Sequence, residues 1–574
     1  MSRFIIRRDT HTATDLPASP LLQRIYAARQ IRSAKELDKT LASLTPPGTL
    51  KNIEQATDLL YTALRERWRI TIIADFDADG ATSCALAVRV LRAFGVEQIS
   101  YRVPNRFEHN YGLTAELVTL AAADHPDLLI TVDNGISSHE GVQAAQLRGM
   151  KVLITDHHLP GQTIPPADVI INPNQPGDTF PGKCLAGVGV IFYVLLALRA
   201  RLRDSGWFTA QGITEPNLAQ FLDLVALGTV ADVVPLDHTN RILVEQGLRR
   251  IRENCCIAGI TALCHIAKRP QNRLTAADIG FYLAPRLNAA GRLEDMQQGI
   301  ECLLSDDPDT ALAIAQKLDA INRQRHSITT QMQSEALERL DKIAPAEAQL
   351  PFGLCLFDPQ WHQGVVGIIA GRLREQTHRP TIVFAPDGDH QIKGSGRSVN
   401  GLHLRDTLAA VATAQPGLIR HFGGHAMAVG LSLDKACFER FSQAFDTEVR
   451  RWLTADDLHG QLLSDGELTA DDFSLDTAKA LREGGPWGQG FPEPLFDGVF
   501  EVQSHKIMKE NHLKLWLQLP GTQHVLEAVA FRQAADFTPG AQRLRIAYRL
   551  DINDWRNQQR LQLMIEYLEP VQHG

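Results

Sequence analysis

The chain has 574 residues, more than one hydrophobic core can hold, so several domains are expected. With 44% hydrophobic and 22% charged residues, its composition is ordinary for a folded soluble protein and argues against a disordered chain. The net charge of −8 does not by itself suggest a nucleic-acid protein, but a basic face can exist on an acidic protein.

Cysteine usage and the absence of apolar leader segments bear on the compartment. The eight cysteines are scattered without a C-x-x-C pair, which argues against a disulfide framework or a thiolate zinc site and fits a reducing cytosol. The first residues lack the apolar core of a signal peptide. The longest apolar run, residues 188–198, is too short to span a bilayer and predicts a buried helix. We therefore predict a cytoplasmic protein without a membrane segment.

Between residues 70 and 235, short apolar runs alternate with helical stretches in the rhythm of βαβ units around a parallel sheet. The predicted strands are residues 70–75, 128–133, 151–156 and 169–173. Open parallel sheets bind ligands beyond the carboxyl ends of their strands. The aspartates that end the first three runs, Asp75, Asp133 and Asp156, should therefore share one rim.

The first strand runs into "DFDADGATS", in which Asp75, Asp77 and Asp79 stand at every second position. Such carboxylates repel one another unless a cation or solvent compensates. An EF-hand calcium loop also begins D-x-D-x-D-G, but its twelfth position would be Leu86 instead of glutamate, and a strand precedes it where a helix is needed. A solvated turn of acids is the alternative that this stretch alone leaves open.

Three further segments are assigned to strand ends: "VDNG" (132–135), "TDHH" (155–158) and "GTVADVVPL" (228–236), which carries Asp232. Taken singly, the histidine pair would more often be a surface turn and Asp232 a helix cap. Carboxylates and imidazoles without thiolates suit Mg²⁺ or Mn²⁺, with imidazole favouring Mn²⁺. Together they predict two ions about 3.5–4 Å apart that serve the hydrolysis of a phosphoryl group.

The second half of the chain is predicted as a long helix, a smaller α/β segment and a β-rich end. Residues 308–343 carry apolar side chains at spacings of three, four and seven without Gly, and such a helix most often bridges two lobes. Residues 351–450 form the second α/β segment, and short alternating strands over 495–570 predict a small β-barrel or sandwich. Residues 501–560 hold nine Lys/Arg against six Asp/Glu, so this end is locally basic.

The motifs "DFDADGATS", "TVDNGISS", "TDHH" and "LGTVADVVPL" together resemble the RecJ branch of the DHH phosphoesterase superfamily, which is named after an Asp-His-His triplet. Where many other branches begin the first motif with a histidine, this chain has Ile73. "GSGRS" (394–398) and "GGHAMAVG" (423–430) resemble the DHHA1 domain, and the β-rich end resembles an oligonucleotide-binding (OB) fold. The resemblance covers about residues 50–570.

The resemblance implies a multidomain α/β protein with a parallel-sheet DHH domain, a long connecting helix, a smaller α/β DHHA1 domain and a C-terminal β-barrel of OB type. The expected boundaries are 1–50 for an N-terminal helical extension, 51–305 for the DHH catalytic domain, 306–345 for the connecting helix, 346–455 for the DHHA1 domain and 456–574 for the OB-fold domain.

The resemblance also implies the ligands of the two ions, which would be Mn²⁺ or Mg²⁺. One ion would be held by Asp75, Asp77 and Asp133, and the other by Asp79, Asp133, His157 and Asp232. Catalytic roles fall to Asp133, His157 and His158. Asp156 would orient an imidazole from outside the set of ligands.

Phosphate recognition is expected from residues that match RecJ contacts to a 5′-phosphate and single-stranded DNA, namely Arg106, Arg292, Ser395, Arg397 and His425. In "GSGRS", the glycines Gly394 and Gly396 would let backbone N–H groups approach an anion, to which Ser395 and Arg397 add donors. A Gly-rich β-turn remains an alternative for this segment, and a structural salt bridge for Arg292.

The barrel offers Trp516, Phe531 and Trp555 for stacking with bases, although a core role is the more common one for each aromatic residue taken singly. The predicted function is a metal-dependent 5′→3′ exonuclease of DNA recombination and repair that releases 5′-mononucleotides from single-stranded DNA. The implied partners are single-stranded DNA, a single-stranded-DNA-binding protein and a RecQ-type helicase, and a monomer is expected.

Two other functions stay open. Another DHH phosphodiesterase, acting on oligoribonucleotides or cyclic dinucleotides, would use the same metals, but short substrates need neither the long helix nor the barrel. A non-catalytic replication scaffold would have lost ligands, whereas all six are present here.

Overall fold

The computed structural model describes residues 3–9, 16–106, 112–343, 350–509, 511–555 and 558–571. The chain divides into two compact units. The larger unit comprises residues 8–322 and 465–574, and the smaller unit comprises residues 1–7 and 323–464.

The strands are β1 (Arg3–Arg7), β2 (Ile70–Ala74), β3 (Ile99–Arg102), β4 (Leu128–Val132), β5 (Lys151–Thr155), β6 (Val169–Ile171), β7 (Leu354–Phe357), β8 (Thr381–Asp387), β9 (Gln391–Arg397), β10 (His421–Gly424), β11 (Ala428–Asp434), β12 (Gly460–Ser464), β13 (Phe496–Met508), β14 (His512–Gln518), β15 (Val525–Ala530), β16 (Arg543–Trp555) and β17 (Gln558–Pro570).

The helices are α1 (Pro20–Ala27), α2 (Ile53–Arg65), α3 (Ala78–Ala93), α4 (Ala115–Ala121), α5 (His139–Gln146), α6 (Gly187–Asp204), α7 (Trp207–Gln211), α8 (Leu222–Ala231), α9 (His238–Arg252), α10 (Ala258–Ile266), α11 (Ala276–Asp278), α12 (Ala284–Leu293), α13 (Gln297–Leu304), α14 (Pro308–Ile343), α15 (Val366–Thr377), α16 (Leu404–Ala414), α17 (Phe438–Trp452) and α18 (Leu475–Glu483). A π-helical turn, Ile279–Leu283, joins α11 to α12.

The larger unit is built on a parallel sheet with the strand order β3-β2-β4-β5-β6. β2 and β4 are buried along their whole length, as expected of a sheet covered on both faces. One face packs against α3 and α6, and the other against α4 and α5. The register pairs Ala74 with Val132 and Val132 with Thr155, so these strands end level with one another. The predicted parallel α/β fold is confirmed, whereas the edge strand β3 was not predicted.

The assignment of Asp232 to a strand end is wrong. Residues 222–231 form the helix α8, and Asp232 is its C-cap. Residues 222–229, including Asp223 and Thr229, are all buried, so this part of the helix is covered on every side. A helix buried all round lacks the amphipathic period that separates a helix from a strand in a sequence.

Two helix predictions are confirmed. The apolar run 188–198 lies inside α6, and residues 308–343 form the single helix α14. The boundary between the two compact units falls within α14, after residue 322. In the part of the chain that the structure describes, no helix is both long and apolar enough to cross a lipid bilayer.

The C-terminal part of the larger unit is a closed barrel in the order β13-β14-β15-β17-β16. Its interior is apolar, with Phe496, Phe500 and Ile546 fully buried. The N-terminal helix α1 packs on it through Ile25, and the following Arg29 makes a buried two-pronged ion pair with Asp465 at 2.8 and 3.0 Å. The predicted β-barrel is confirmed.

The smaller unit contains a sheet in the order β10-β11-β9-β8-β7 and a parallel pair of β1 with β12. The N-terminal segment that was predicted as helical therefore begins with a strand in its described part. "GSGR" is the end of β9, an inner strand that pairs with β8 and β11. The β-turn expected as an alternative is wrong, and the backbone of Gly394 and Gly396, which is expected to approach an anion, pairs with strands on both sides.

The glycines of β9 serve packing. A Cβ atom on Gly394 would lie 2.5 Å from the Phe384 ring, and one on Gly396 would lie 2.7 Å from the side chain of Val429. Both positions face the apolar core of this unit, where a side chain would displace its neighbours.

Candidate active site

Three alternating aspartates lie where β2 passes into α3. Asp77 is the N-cap of α3, and its Oδ1 accepts hydrogen bonds from the N–H groups of Asp79 and Gly80 at 2.9 and 3.0 Å. Asp75 Oδ1 accepts one from the N–H of Phe76 at 2.7 Å. The capped start of α3 thus fixes the three carboxylates relative to one another, because it sets the backbone conformation between them.

Asp133 follows β4 at the same edge of the sheet and has a left-handed backbone with φ of 63°. Non-glycine residues rarely adopt this conformation, and those that do gather at functional sites. The start of α6 packs closely against it, since a Cβ on Gly187 would lie 2.5 Å from the Asp133 Cβ. Asp133 is 1% exposed, and its Oδ1 lies 3.1 Å from His157 Nε2.

Asp79 is held by the first turn of α6. Its two carboxylate oxygens accept hydrogen bonds from the N–H groups of Gly187 at 2.6 Å and Val188 at 3.0 Å. A helix N-terminus stabilises negative charge. A Cβ on Gly228 would lie 2.8 Å from Asp79 Oδ1, so α8 also needs a glycine to approach.

The Asp-His-His segment after β5 is organised around Asp156. Its buried carboxylate accepts hydrogen bonds from the N–H groups of Ile136, His157 and His158, and it lies 2.8 Å from His158 Nδ1. Burial opposes ionisation of Asp156, but His158 outweighs it and holds the Asp156 pKa below its usual value. Burial lowers the pKa of His158, but the Asp156 carboxylate outweighs this and raises it to about 9.

Asp232 reaches the same place from the end of α8. Its Oδ2 lies 3.4 Å from His157 Nε2, so this nitrogen faces both Asp133 and Asp232. The next residue, Val233, is left-handed with φ of 62°, which is unusual for a β-branched side chain. The site therefore draws on a helix C-terminus in addition to three strand ends.

Three groups of side chains bring ligand atoms within 4.8 Å of one another: Asp75 with Asp77 and Asp133, Asp79 with His157 and Asp232, and Asp133 with His157 and His158. The first two groups together contain the six residues expected as ligands. Asp133, which is expected in both ligand sets, belongs to the first and third groups. Their donors are carboxylate oxygens and imidazole nitrogens, which fit Mn²⁺ or Mg²⁺.

The electrostatics of this cluster also fit cations. Burial, and next the negative charge of Asp77, raise the pKa of Asp79 to about 7 and the pKa of Asp75 well above its usual value. Burial and the neighbouring aspartates likewise raise the pKa values of Asp133 and Asp232. The ionised carboxylates repel one another here, and divalent cations between them would remove that cost.

Arg106, in the segment after β3, lies near Asp75 and Asp77 and contacts the end of α12, the helix that carries Arg292. Arg106 Nε donates to the carbonyl of Gly291 at 3.0 Å, and its guanidinium lies 4.0 Å from the centre of the Phe76 ring. Burial lowers the Arg106 pKa, and Asp75 opposes this shift. Arg292 follows Gly291 in the last turn of α12 and is half-buried.

Ser395 and Arg397 lie in the smaller unit, on the face of β9 opposite to its glycines. Arg397 Nη1 donates to Ser395 Oγ at 3.1 Å and to the carbonyl of Gly396 at 2.9 Å. Both side chains face the first turn of α15, where a Cβ on Gly367 would lie 2.9 Å from Ser395 Oγ. The hydroxyl of Ser395 and the guanidinium of Arg397 thus lie beside the N-terminus of α15. His425 lies in the turn between β10 and β11 and is exposed.

Asn288 is a residue of the site that the sequence patterns missed. Its Oδ1 accepts a hydrogen bond from the N–H of Ala78 at 2.9 Å, so α12 fixes the loop that carries the first aspartates. Gly291 supports the same contact, because a Cβ there would lie 1.8 Å from the Phe76 carbonyl oxygen. The segment "RLNAAGRL" contains both residues, and their spacing of three places them on neighbouring positions of one helix face.

Among the aromatic residues proposed for stacking, Phe531 is 55% exposed and Trp516 is half-buried with Lys514 Nζ 5.2 Å from its ring. The side chain of Trp555 lies outside the described part of the structure. Phe531 is thus placed on the surface and does not have the core role that such residues more often take.

Three family profiles match the sequence. They are the DHH family, N-terminal domain, over residues 69–229, the DHHA1 domain over residues 350–451, and the RecJ OB domain over residues 464–567. The matches cover the parallel sheet, the sheet of the smaller unit and the barrel in turn.

Whole-chain comparisons extend this likeness. The chain is 50% identical to the single-stranded-DNA-specific exonuclease RecJ of Salmonella typhimurium over 99% of both chains. It is also 50% identical to the protein of that name from Escherichia coli, over 98% of this chain and 99% of that one.

A solved structure shows the same architecture. The crystal structure of RecJ from Thermus thermophilus in complex with Mn²⁺ matches with a TM-score of 0.80 at 30% identity, over 97% of this chain and 76% of that chain. The structure of that RecJ in complex with Mg²⁺ matches with a TM-score of 0.75 at 28% identity, over 97% of this chain and 75% of that chain.

Proposed function

This chain belongs to the RecJ family of single-stranded-DNA-specific exonucleases, and we propose that it degrades single-stranded DNA from the 5′ end and releases 5′-mononucleotides. The observation that carries the proposal is the convergence of Asp75, Asp77, Asp79, Asp133, His157 and Asp232 on one edge of the parallel sheet. Phosphodiester hydrolysis at paired divalent ions is the chemistry for which such a donor set is suited.

We propose that Asp75, Asp77 and Asp133 hold one ion. Asp79, Asp133, His157 and Asp232 would hold the other, so that Asp133 adjoins both. When bound, Mn²⁺ or Mg²⁺ would neutralise charge on the phosphoryl group and make water a stronger nucleophile. Water then attacks phosphorus and the 3′-oxygen departs.

The protein's own part in this reaction is positioning and proton control. The α6 N-terminus fixes both oxygens of Asp79, and Asp156 fixes the backbone and one ring nitrogen of His158. His158 would donate a hydrogen bond to the scissile phosphate or a proton to the departing oxygen, since its contact with Asp156 favours the protonated ring. We assign Asp156 to positioning and not to ion binding.

Degradation from the 5′ end requires that the protein bind the terminal 5′-phosphate at a fixed distance from the ions. We propose Arg106, Arg292, Ser395, Arg397 and His425 for this role. The guanidinium groups of Arg106 and Arg397 are half-buried, and planar guanidinium groups suit two-pronged hydrogen bonding to phosphate.

The test is a digestion of 5′-labelled single-stranded DNA beside its duplex, in Mn²⁺ and in EDTA. We expect a labelled mononucleotide as the first product from the single strand in Mn²⁺, and no product in EDTA. Equal digestion of the duplex, or activity that survives EDTA, would contradict the proposal.

The alternative substrates, oligoribonucleotides and cyclic dinucleotides, are disfavoured by the closed barrel and its match to the RecJ OB domain. The non-catalytic scaffold is disfavoured because every proposed ligand is present and grouped. The same digestion with an RNA strand and with a cyclic dinucleotide distinguishes the proposed DNA exonuclease from a phosphodiesterase that acts on these substrates.

We further propose that the protein acts as a cytoplasmic monomer in recombination and repair, beside a single-stranded-DNA-binding protein and a RecQ-type helicase. Membership of the RecJ family supports this, as does the lack of a C-x-x-C pair. Light scattering would test the monomer, and co-purification with each purified partner would test the contacts.

A further inference from the structure

Phe281 is a large apolar side chain left on the surface of the larger unit. It is 76% exposed, although the residues around it, Ile279 and Leu283, are fully buried. All three belong to the π-helical turn Ile279–Leu283. Such turns insert an extra residue into a helix, redirect side chains and occur frequently at functional sites.

The turn that presents Phe281 is anchored on several sides. The guanidinium of Arg269 lies 3.5 Å from the centre of the Tyr282 ring. Arg286 donates to the Tyr282 carbonyl and also forms an ion pair with Asp319 at 2.8 Å. Neighbouring groups thus hold the backbone in place while the Phe281 ring faces solvent, so its exposure is a property of an ordered turn.

The turn and the helix α12 that follows it each contact an element next to the candidate ligands. A Cβ on Gly280 would lie 3.5 Å from Val230, which stands two residues before Asp232 in α8. Two turns further along, Asn288 in α12 contacts the N–H of Ala78 in the aspartate loop. The exposed ring therefore lies on an element that contacts the candidate active site.

Pro285, Asn288 and Arg292 follow the spacing of one side of α12, and Phe281 lies in the π-helical turn just before this helix; all four are at least partly exposed. At about 1.5 Å per residue, Phe281 lies roughly 16 Å along the helix from Arg292, one of the proposed phosphate contacts. A strand held at Arg292 and at the ions can thus extend toward Phe281.

We infer that Phe281 is a stacking platform for a base of the bound single strand, on the same unit as the candidate active site. The inference rests on the proposed exonuclease function and deepens it by naming a base-contacting residue. An aromatic face accepts any base, which agrees with a nuclease that degrades strands of any sequence. It also needs an unpaired base, which agrees with specificity for single strands.

The test measures KM and kcat on 5′-phosphorylated single strands that carry one abasic nucleotide, moved stepwise from the 5′ end. With the wild-type protein, we expect one position at which loss of the base raises KM roughly 10-fold, a size typical of stacking on an aromatic ring. Phe281→Ala should raise KM by a similar factor on the intact strand. In this variant, the abasic nucleotide should cause no further increase in KM.

Control variants make the outcome specific. Phe281→Trp should keep the abasic effect because it keeps a ring, whereas Phe281→Leu should lose it despite its apolar side chain. Leu147→Ala removes another apolar side chain that is 87% exposed, at the end of α5, and should change neither constant. Circular dichroism checks that all variants are folded.

Each result decides the inference. If Phe281→Ala keeps the wild-type KM, or if the abasic effect persists in that variant, the stacking role is overturned. If the wild-type protein fails to degrade the intact strand, the proposed function itself fails, and this control is run first.

Discussion

Asp133 is the side chain that adjoins both proposed ion sites, and its removal should affect both. We predict that Asp133→Ala abolishes hydrolysis while the protein stays folded, because each ion loses a ligand. Mn²⁺ at a hundred times its dissociation constant should stabilise the wild-type protein by about 2.7 kcal/mol per site, and most of this should be lost in the variant. Thermal unfolding with and without Mn²⁺ measures the difference.

The matched control for Asp133 is Asp204→Ala, which removes an exposed carboxylate at the end of α6. It should leave both turnover and the Mn²⁺ effect unchanged. Turnover at the wild-type rate in Asp133→Ala would rule out the assignment of two ions around this residue.

Arg397 tests phosphate recognition separately from chemistry. Arg397→Ala should reduce the preference for a 5′-phosphorylated end over a 5′-hydroxyl end roughly 10-fold, since charged hydrogen bonds contribute about 1.5–3 kcal/mol. Arg397→Lys should restore only part of it, because lysine lacks the planar fork. Competition between the two labelled strands measures the preference.

Mn²⁺ affinity should be unchanged in Arg397→Ala, because the residue lies on β9 and the proposed ligands lie on the larger unit. If Mn²⁺ affinity falls together with activity, Arg397 contributes to the metal site, and its proposed role in binding the 5′-phosphate must be revised.

Among the secondary-structure elements, the start of α6 packs so closely on Asp133 that an added side-chain atom at Gly187 should disturb the site. Gly187→Ala would place a Cβ 2.5 Å from the Asp133 Cβ, and a helix terminus packed on a strand end cannot move without disturbing Asp79 as well. We predict a loss of about 1–3 kcal/mol in the free energy of unfolding and a large loss of kcat. Urea unfolding and steady-state kinetics measure the two effects.

Gly371→Ala in α15 is the control for the same substitution in an uncrowded helix. A Cβ there meets no described atom within 4 Å, so alanine should stabilise the helix by about 0.5–1 kcal/mol. If both variants behave alike, close packing at Gly187 is not what positions the aspartates.

At the scale of the whole molecule, the question is whether the barrel binds DNA in a protein of net charge −8. Deleting residues 460–574 is a poor test, because β12 pairs with β1 and Asp465 pairs with the buried Arg29. Leaving that arginine unpaired would cost about 3–5 kcal/mol. Substitution in the intact chain is therefore the better experiment.

Lys506 and Lys509 lie exposed at the end of β13 and just beyond it. For the double variant Lys506→Gln/Lys509→Gln, we predict weaker binding of long single strands and a log–log salt dependence lower by about 0.7 for each lost phosphate contact. Fluorescence anisotropy across a salt series measures it. Lys479→Gln on α18 is the control, and an unchanged slope in the double variant would mean that this face does not bind the strand.

The available chemical groups, and much of their order, can be predicted from the sequence alone. Asp75, Asp133 and Asp156 each end a short apolar run, and parallel strands bring their carboxyl ends to one edge, so a local pattern was enough to predict a shared rim. The long helix α14 and the alternation of β14 are likewise local periodicities.

The tertiary structure decided what depends on contacts between distant segments. Asp232 reaches His157 from a helix end, Asn288 caps a loop 210 residues earlier in the chain, and Gly187 makes room for Asp133. A side chain's periodicity reports which face of its own element is buried, but it does not report which element packs there. For the same reason, the glycines of β9 are compatible with a β-turn in the sequence but are close-packed positions within a sheet.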